Sequence, residues 1–384
     1  MRTLLPAFLL ALGLAWGPAQ ATSSPPPRYQ LTDLGTAGGY TQSFSYGLSD
    51  NGAYVAGWVA SGSATRAFRW SAGHGMELLA LDGGATASRG FGVNDSGTVA
   101  GESVLATHRI ATLWAAGGAR SELGTLPNPA SANFSSVAFG VNNAGVAAGW
   151  SDSVDSTRAF RWTTDTGMAS LGTLQGGTQT RAYGITADGS IVGWGTSPAG
   201  DRGFVAGTGL SSVGALSDVS GSRTRAFGAS NDNGWITGDA SDPQQGETAF
   251  LWSQGSGLIA LGRLPGALRS YGADVNSAAA VVGWNEGGAG GEEGFLWTEQ
   301  TGMLSFNSLV VDGATWRIQR ARAINDLGYV VANALDGDGR VHAVLLTPVP
   351  EPAAGVLMAA GLATLLAWRR RAAAGGSAAQ RRGR

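Results

Sequence analysis

Between Tyr29 and Pro348 the chain is written in short stretches whose apolar and polar positions alternate, or run apolar for a few residues, before Gly, Asn, Asp or Ser breaks them. That is the pattern of half-buried and buried β-strands. No segment of this region holds a 3.6-residue apolar period, so it is expected to be all-β. The stretches recur in a set order. "YGLSDNGAYVAGW" from Tyr46 returns as "FGVNDSGTVAGE" from Phe91, "FGVNNAGVAAGW" from Phe139 and "YGITADGSIVGW" from Tyr183, with weaker copies from Phe227, Tyr271 and Ala321. An "AFRW" type of strand follows each, ending at Trp70, Trp114, Trp162, Ala206, Trp252, Trp297 and Leu346, in steps of 44, 48, 44, 46, 45 and 49 residues. A third phrase of the type "GMASLGTL" follows the first six copies, and the chain opens on its own version, "YQLTDLG" from Tyr29.

Each block therefore reads as four short strands. Asn142-Asn143-Ala144-Gly145 and its equivalents supply hairpin turns, with Gly taking positive φ and Asn or Asp bonding nearby backbone. Phe160 and Trp162 stand two apart and share a sheet face. Four strands repeated every ~45 residues predict a β-propeller of seven four-stranded blades. A parallel β-helix would need a shorter coil and fewer tight hairpins. One blade cannot bury its own faces, so the blades must bury each other. If a blade runs from "FGVN" through "VAGW" and "AFRW" to "LGTL", the last block lacks its fourth strand. The unpaired Tyr29–Gly35 segment is expected to supply it beside His342–Leu346, closing the ring.

The ends of the chain are different. Residues 1–21, "MRTLLPAFLLALGLAWGPAQA", read as a secretory signal peptide: Arg2, an apolar core, then Ala19-Gln20-Ala21 with the cut before Thr22. Residues 22–28 form a Pro-rich linker, and 29–348 the repeat domain. Val349-Pro350-Glu351-Pro352 then precedes an apolar run, 353–368, and Arg369, Arg370 and Arg371. The run is expected to be a single apolar helix, the one membrane-spanning element. At 1.5 Å per residue it covers about 24 Å, short for a ~30 Å hydrocarbon core. The arginines stop translocation and stay cytoplasmic, as does the basic tail 372–384. Two prolines keep the preceding segment extended and accessible to a processing enzyme. The segment reads as a removable sorting signal rather than a permanent anchor.

Composition narrows the chemistry. There is no cysteine, so an exported domain must be held by packing alone. Every basic residue is Arg. From Thr22 to Pro348 there are 18 Arg against 26 acidic residues, a net charge of about −8. Such a surface disfavours nucleic acid and anionic lipid.

The blocks resemble the extracellular HAF repeats, named for the His-Ala-Phe of an "HAFLW" strand. Here the triplet stands as Arg66-Ala67-Phe68, Arg158-Ala159-Phe160, Thr248-Ala249-Phe250 and His342-Ala343-Val344, and the surrounding "LGTL…YGIN..G.VVGW…AFRW" matches better. Residues 349–371 resemble a PEP-CTERM sorting signal. These resemblances imply export in a Gram-negative bacterium, processing by an exosortase-type enzyme, and a life at the cell surface among exopolysaccharide. They imply no catalytic residue.

No catalytic constellation is visible either. His74, His108 and His342 fall at unlike points of their blocks, and there is no Lys, HExxH or P-loop. No metal site or cofactor is indicated. Glu292-Glu293, Asp152 with Asp155, and Asp336 with Asp338 are loop pairs that read as solvated turn residues. Tryptophan is the notable excess. Trp70, Trp114, Trp162, Trp252 and Trp297 end the "AFRW" strand and are expected in the blade core. Trp58, Trp150, Trp194 and Trp284 follow the "VAG" strand at a strand end, where packing is the ordinary role and stacking on sugar the functional one. The expectation is a non-enzymatic binding or structural component of an exopolysaccharide or biofilm matrix. The alternatives are a carbohydrate-active hydrolase or lyase using loop carboxylates, and a protein-binding surface scaffold.

Overall fold

In the computed structural model, described for residues 25–350 apart from 82, 128–132, 208, 218, 233, 243–245, 289–290 and 312, seven four-stranded antiparallel sheets form a β-propeller. The signal peptide with Ala19, Ala21 and Thr22, the sorting motif from Glu351 onward, the 353–368 run and Arg369–Arg371 lie outside the described residues. No described helix is long and apolar enough to cross a membrane.

The first blade shows the common plan: strands Gln42–Leu48, Val55–Ser61, Ala64–Ser71 and Gly75–Leu78, paired in that order from the axis outward. The next five inner strands are Ala87–Val93, Ser136–Val141, Thr180–Ile185, Arg223–Ala229 and Arg269–Val275. The seventh blade takes Arg317–Ile324, Val330–Leu335 and Val341–Pro348 from the end of the chain, and its outer strand, Tyr29–Asp33, from the beginning. Tyr29 stands opposite Pro348 and Asp33 opposite Val344, so the expected clasp is present. Leu34 N continues it by donating to Ala343 O at 3.0 Å. One short helix, Phe306–Leu309, was not anticipated. It buries Phe306 against Tyr29, ring centres 5.4 Å apart.

The core is divided among the blade interfaces. Phe68, Phe160, Phe204, Phe250 and Phe295, from the third strands of their blades, are wholly buried. Each clusters with apolar residues of the preceding blade, Phe160, for example, with Ala100, Ala111 and Leu113. Burying one such ring stabilises by about 2–3 kcal/mol. The "AFRW" tryptophans were expected in this role, but most are only half-buried because the Phe two residues earlier fills the interface. Trp114 is the informative case. Its strand reads Ala111-Thr112-Leu113-Trp114, without the Phe, and there the Trp is buried against Ala56, Ala67 and Leu79.

The hairpin between first and second strands forms a ring of turns at one end of the axis. In it Asn142 Oδ1 accepts from Ala144 N and Val146 N, at 3.1 and 3.0 Å, and its amide donates to Thr186 O of the next blade at 3.2 Å. Asn94, Asn276 and Asn325 repeat this, donating to Asn142 O, Asn325 O and Ser49 O. One side chain thus closes its own turn and ties it to its neighbour.

Candidate functional site

Each inner strand has a β-bulge at one position, between Ser45 and Gly47 in the first blade and between Ala321 and Ala323 in the seventh. A bulge turns one extra residue out of the ladder. Here those residues are Tyr46, Phe91, Phe139, Tyr183, Phe227, Ala273 and Arg322, and they line the central channel. The sixth block had been aligned on Tyr271; the structure puts Ala273 at the axis and Tyr271 two residues outward. In that block the aromatic stands two residues ahead of the bulge, so counting from it misplaces the axis residue by two.

Five of the seven are aromatic, and their rings form a continuous arc. Centre-to-centre distances are 5.2 Å for Tyr46–Phe91, 4.7 Å for Phe91–Phe139, 4.7 Å for Phe139–Tyr183 and 5.2 Å for Tyr183–Phe227. The arc separates two unlike ends. Toward the ring of turns lies a cavity of about 250 Å³, lined by asparagines and by Asp50, Asp274 and Asp326. Asp274 replaces the glycine that follows the axis residue in the first five blades. Its carboxylate accepts from Val275 N and Ile324 N, at 2.9 and 3.0 Å. Burial nonetheless pushes it up to about 7, outweighing those two bonds, and the nearby Asp50 and Asp326 charges push the same way.

At the other end, one position of the second strand is held by Trp58, Glu102, Trp150, Trp194, Asp239, Trp284 and Asn333; Glu102, Asp239 and Asn333 are buried, Asn333 accepting from Ser45 N of the next blade at 2.8 Å. Each pairs across the ladder with an inner-strand residue: Phe44, Arg89, Val137, Arg181, Arg225, Tyr271 and Arg320. The tryptophans were expected at strand ends, but most of these second strands run on past them. The structure does bring all four to one mouth, each half-buried. Trp58 stacks on Phe44 at 5.5 Å and Trp284 on Tyr271 at 5.1 Å. The Arg181 guanidinium lies 4.9 Å from the Trp150 ring and 5.9 Å from Trp194. Arg322 lies 4.9 Å from Trp284 and 5.4 Å from Tyr46.

The mouth also holds charged groups that reading by residue type had missed. Glu102 is buried and takes Arg89 at 2.8 Å and Arg109 at 3.3 Å. Asp239 takes Arg225 at 3.0 Å, and burial raises it to about 6 against the pull of that arginine. Glu247 is bound by Arg223, by Arg225 and by the Tyr271 hydroxyl, which donates at 2.9 Å. Burial would raise its carboxyl, but these partners hold it below the ordinary range. The signal for these residues was present as departures from the repeat. Glu102 and Asp239 stand where other blades carry Trp, Arg322 where they carry Phe or Tyr, and Asp274 where they carry Gly.

The loop carboxylates singled out from sequence do not converge. Glu292 is paired with Arg320, and Glu293 accepts from Ser305. Asp152 accepts from Ser135 N at 3.0 Å. Asp336 closes its turn through Asp338 N and Arg340 N, at 2.9 and 2.8 Å. His342 lies between Asp33 and Asp336, while His74 and His108 contact Ser71 and Thr107. No cluster of three or more His or acidic residues able to hold a metal is found among the described residues.

Comparison with known proteins agrees with this architecture and adds an address. The PEP-CTERM protein-sorting motif matches residues 348–371, which implies processing by an exosortase and export to the cell envelope. No curated protein matches the chain. Among solved structures, the chain is similar to virginiamycin B lyase from Staphylococcus aureus, with 14% identity over 84% of this chain and 100% of the other and a TM-score of 0.50. It is also similar to a putative TolB from Agrobacterium tumefaciens, with 12% identity over 85% and 100% and a TM-score of 0.43. The likeness to the lyase, at that identity, is one of fold alone.

Proposed function

We propose that this exported propeller is a non-enzymatic, surface-displayed glycan-binding protein of the exopolysaccharide matrix. The observation that carries the reading is that Trp58, Trp150, Trp194 and Trp284 occupy one strand position around the axis, each half-buried. Indole faces take the C–H faces of pyranose rings, and a shallow aromatic rim suits a polymer that lies across it. The carboxylates near this mouth are engaged by arginines, which favours binding over hydrolysis. The resemblance of the blocks to extracellular HAF repeats, and of the tail to a bacterial sorting signal, supports the same setting.

The route by which the chain leaves the propeller fits display. Strand Val341–Pro348 ends at the ring of turns, where Val349 N donates to Arg28 O at 2.8 Å. Four residues, 349–352, then separate Pro348 from the apolar run, a reach of roughly 14 Å at full extension. While the tail is attached, the acidic turn end faces the envelope and the tryptophan mouth faces away from it.

The test is binding of the exported protein to a panel of bacterial polysaccharides, with Trp150→Ala and Trp194→Ala variants. Retained affinity in both variants, or reducing-end or unsaturated products from the native protein, would overturn the reading.

A further inference from the structure

We infer that the mouth recognises carboxylated sugars, the uronate residues of an acidic polysaccharide, with Arg181 and Arg322 receiving the carboxylates. This rests on the glycan-binding reading and names its ligand class.

The arginines of the mouth fall into two groups. Arg89, Arg109, Arg225 and Arg320 have carboxylate partners within the protein. Among the described residues Arg181 and Arg322 have none. Their described contacts are with aromatic rings, and each Nε is buried without an acceptor. A buried donor left unpaired costs about 1–3 kcal/mol. A ring beneath a guanidinium offsets part of the charge's desolvation but accepts none of its in-plane hydrogen bonds. Burial accordingly draws the Arg322 guanidinium below its ordinary pKa, with the neighbouring Arg320 charge adding to the effect. These are two cations whose donors an incoming anion can satisfy.

The surroundings specify which anion. Arg181 stands between Trp150 and Trp194, and Arg322 between Trp284 and Tyr46. Each guanidinium therefore lies beside a half-buried indole of the same strand position. A uronate offers both halves in one residue: an apolar pyranose face and a planar carboxylate that matches the guanidinium fork. A phosphodiester group offers the charge without the adjoining pyranose face. The two sites lie on the fourth and seventh blades, so a chain bridging them crosses the axis.

The experiment is calorimetric titration of the intact protein with oligogalacturonate, oligoglucuronate and oligomannuronate, each also as its methyl ester. The ester keeps the sugar and removes the charge. At least one free acid is expected to bind ten-fold or more tighter than its ester, and Arg181→Gln is expected to abolish that difference. Arg322→Gln is expected to do the same, and circular dichroism checks that each variant is folded. Equal affinity for acid and ester overturns the inference and leaves stacking alone. An acid preference that survives Arg181→Gln in a folded protein also overturns it. Binding of none of the six probes, alongside binding of a neutral polysaccharide, removes the ligand class but not the glycan-binding reading. No binding to any glycan removes both.

Discussion

The side-chain amide of Asn325 donates to the carbonyl of Ser49 at 3.2 Å, joining the last turn of the axial ring to the first. The same side chain accepts from Leu327 N and Tyr329 N, at 3.1 and 3.0 Å. Together with the Tyr29–Asp33 strand, it closes the propeller without a disulfide.

Asn325→Ala removes all three bonds at a buried position. The expected loss is roughly 2–3 kcal/mol, read as a lower urea midpoint. Leu327→Ala, two residues away and exposed, is the control and is expected to change stability by less than about 0.5 kcal/mol. Equal effects would show that the latch contributes nothing.

Gly149→Ala is expected to destabilise strongly despite adding one methyl group. A Cβ built there would stand 1.9 Å from Val137 O, and the equivalent glycines of the other early blades meet the same inner-strand carbonyl. The bulge presses that carbonyl against the second strand. The seventh blade has Ala332 at this position, and its inner strand carries a second register shift. A cost of about 2–3 kcal/mol is expected for Gly149→Ala. A thermal midpoint within one degree of native would contradict this packing.

Ala279→Gly is expected to stabilise. Ala279 is the one non-glycine with positive φ among the described residues, at 60°, and occupies the turn position held by Gly52, Gly97 and Gly145 in other blades. Relief of this strain is expected to add about 1 kcal/mol, less the added freedom of glycine in the unfolded chain. Denaturant titration measures the sum, and a net loss would refute the strain.

Asp274 makes stability depend on pH. Its folded pKa, about 7, lies above the ordinary carboxylate value, so the folded protein binds the proton more tightly than the unfolded chain. Its contribution is therefore full below pH ~4, declines as pH rises, and has gone by about pH 7. Asp274→Asn keeps one acceptor for the Val275 and Ile324 amides and cannot ionise. It is expected to flatten the decline between pH 4 and 7 and to exceed the native protein in stability at pH 8. Parallel urea titrations at four pH values decide it; an unchanged slope would show that the carboxylate is charged throughout.

Sequence and structure agreed where the repeat is strong. The number of blades, the four strands of each and the borrowed outer strand all follow from spacing, because each blade is a local run of hairpins. Agreement weakened where one residue's role depends on its neighbour blade. "AFRW" reads as if the Trp were the core residue. The Phe is the buried one, since only contact between sheets determines which ring faces the interface. The Tyr271 misalignment has a similar origin, because a bulge has no fixed residue type in the sequence.

By itself the sequence determined the propeller, its closure and its envelope address, since strand periodicity, turn chemistry and a sorting motif are all written locally. Only the tertiary structure decided that four tryptophans share a mouth, and that Arg181 and Arg322 lie there without carboxylates among the described residues. It also decided that Asp274 lies half-buried at the opposite end. These side chains stand tens to hundreds of residues apart, and the ring that gathers them forms only when every blade has packed against the next.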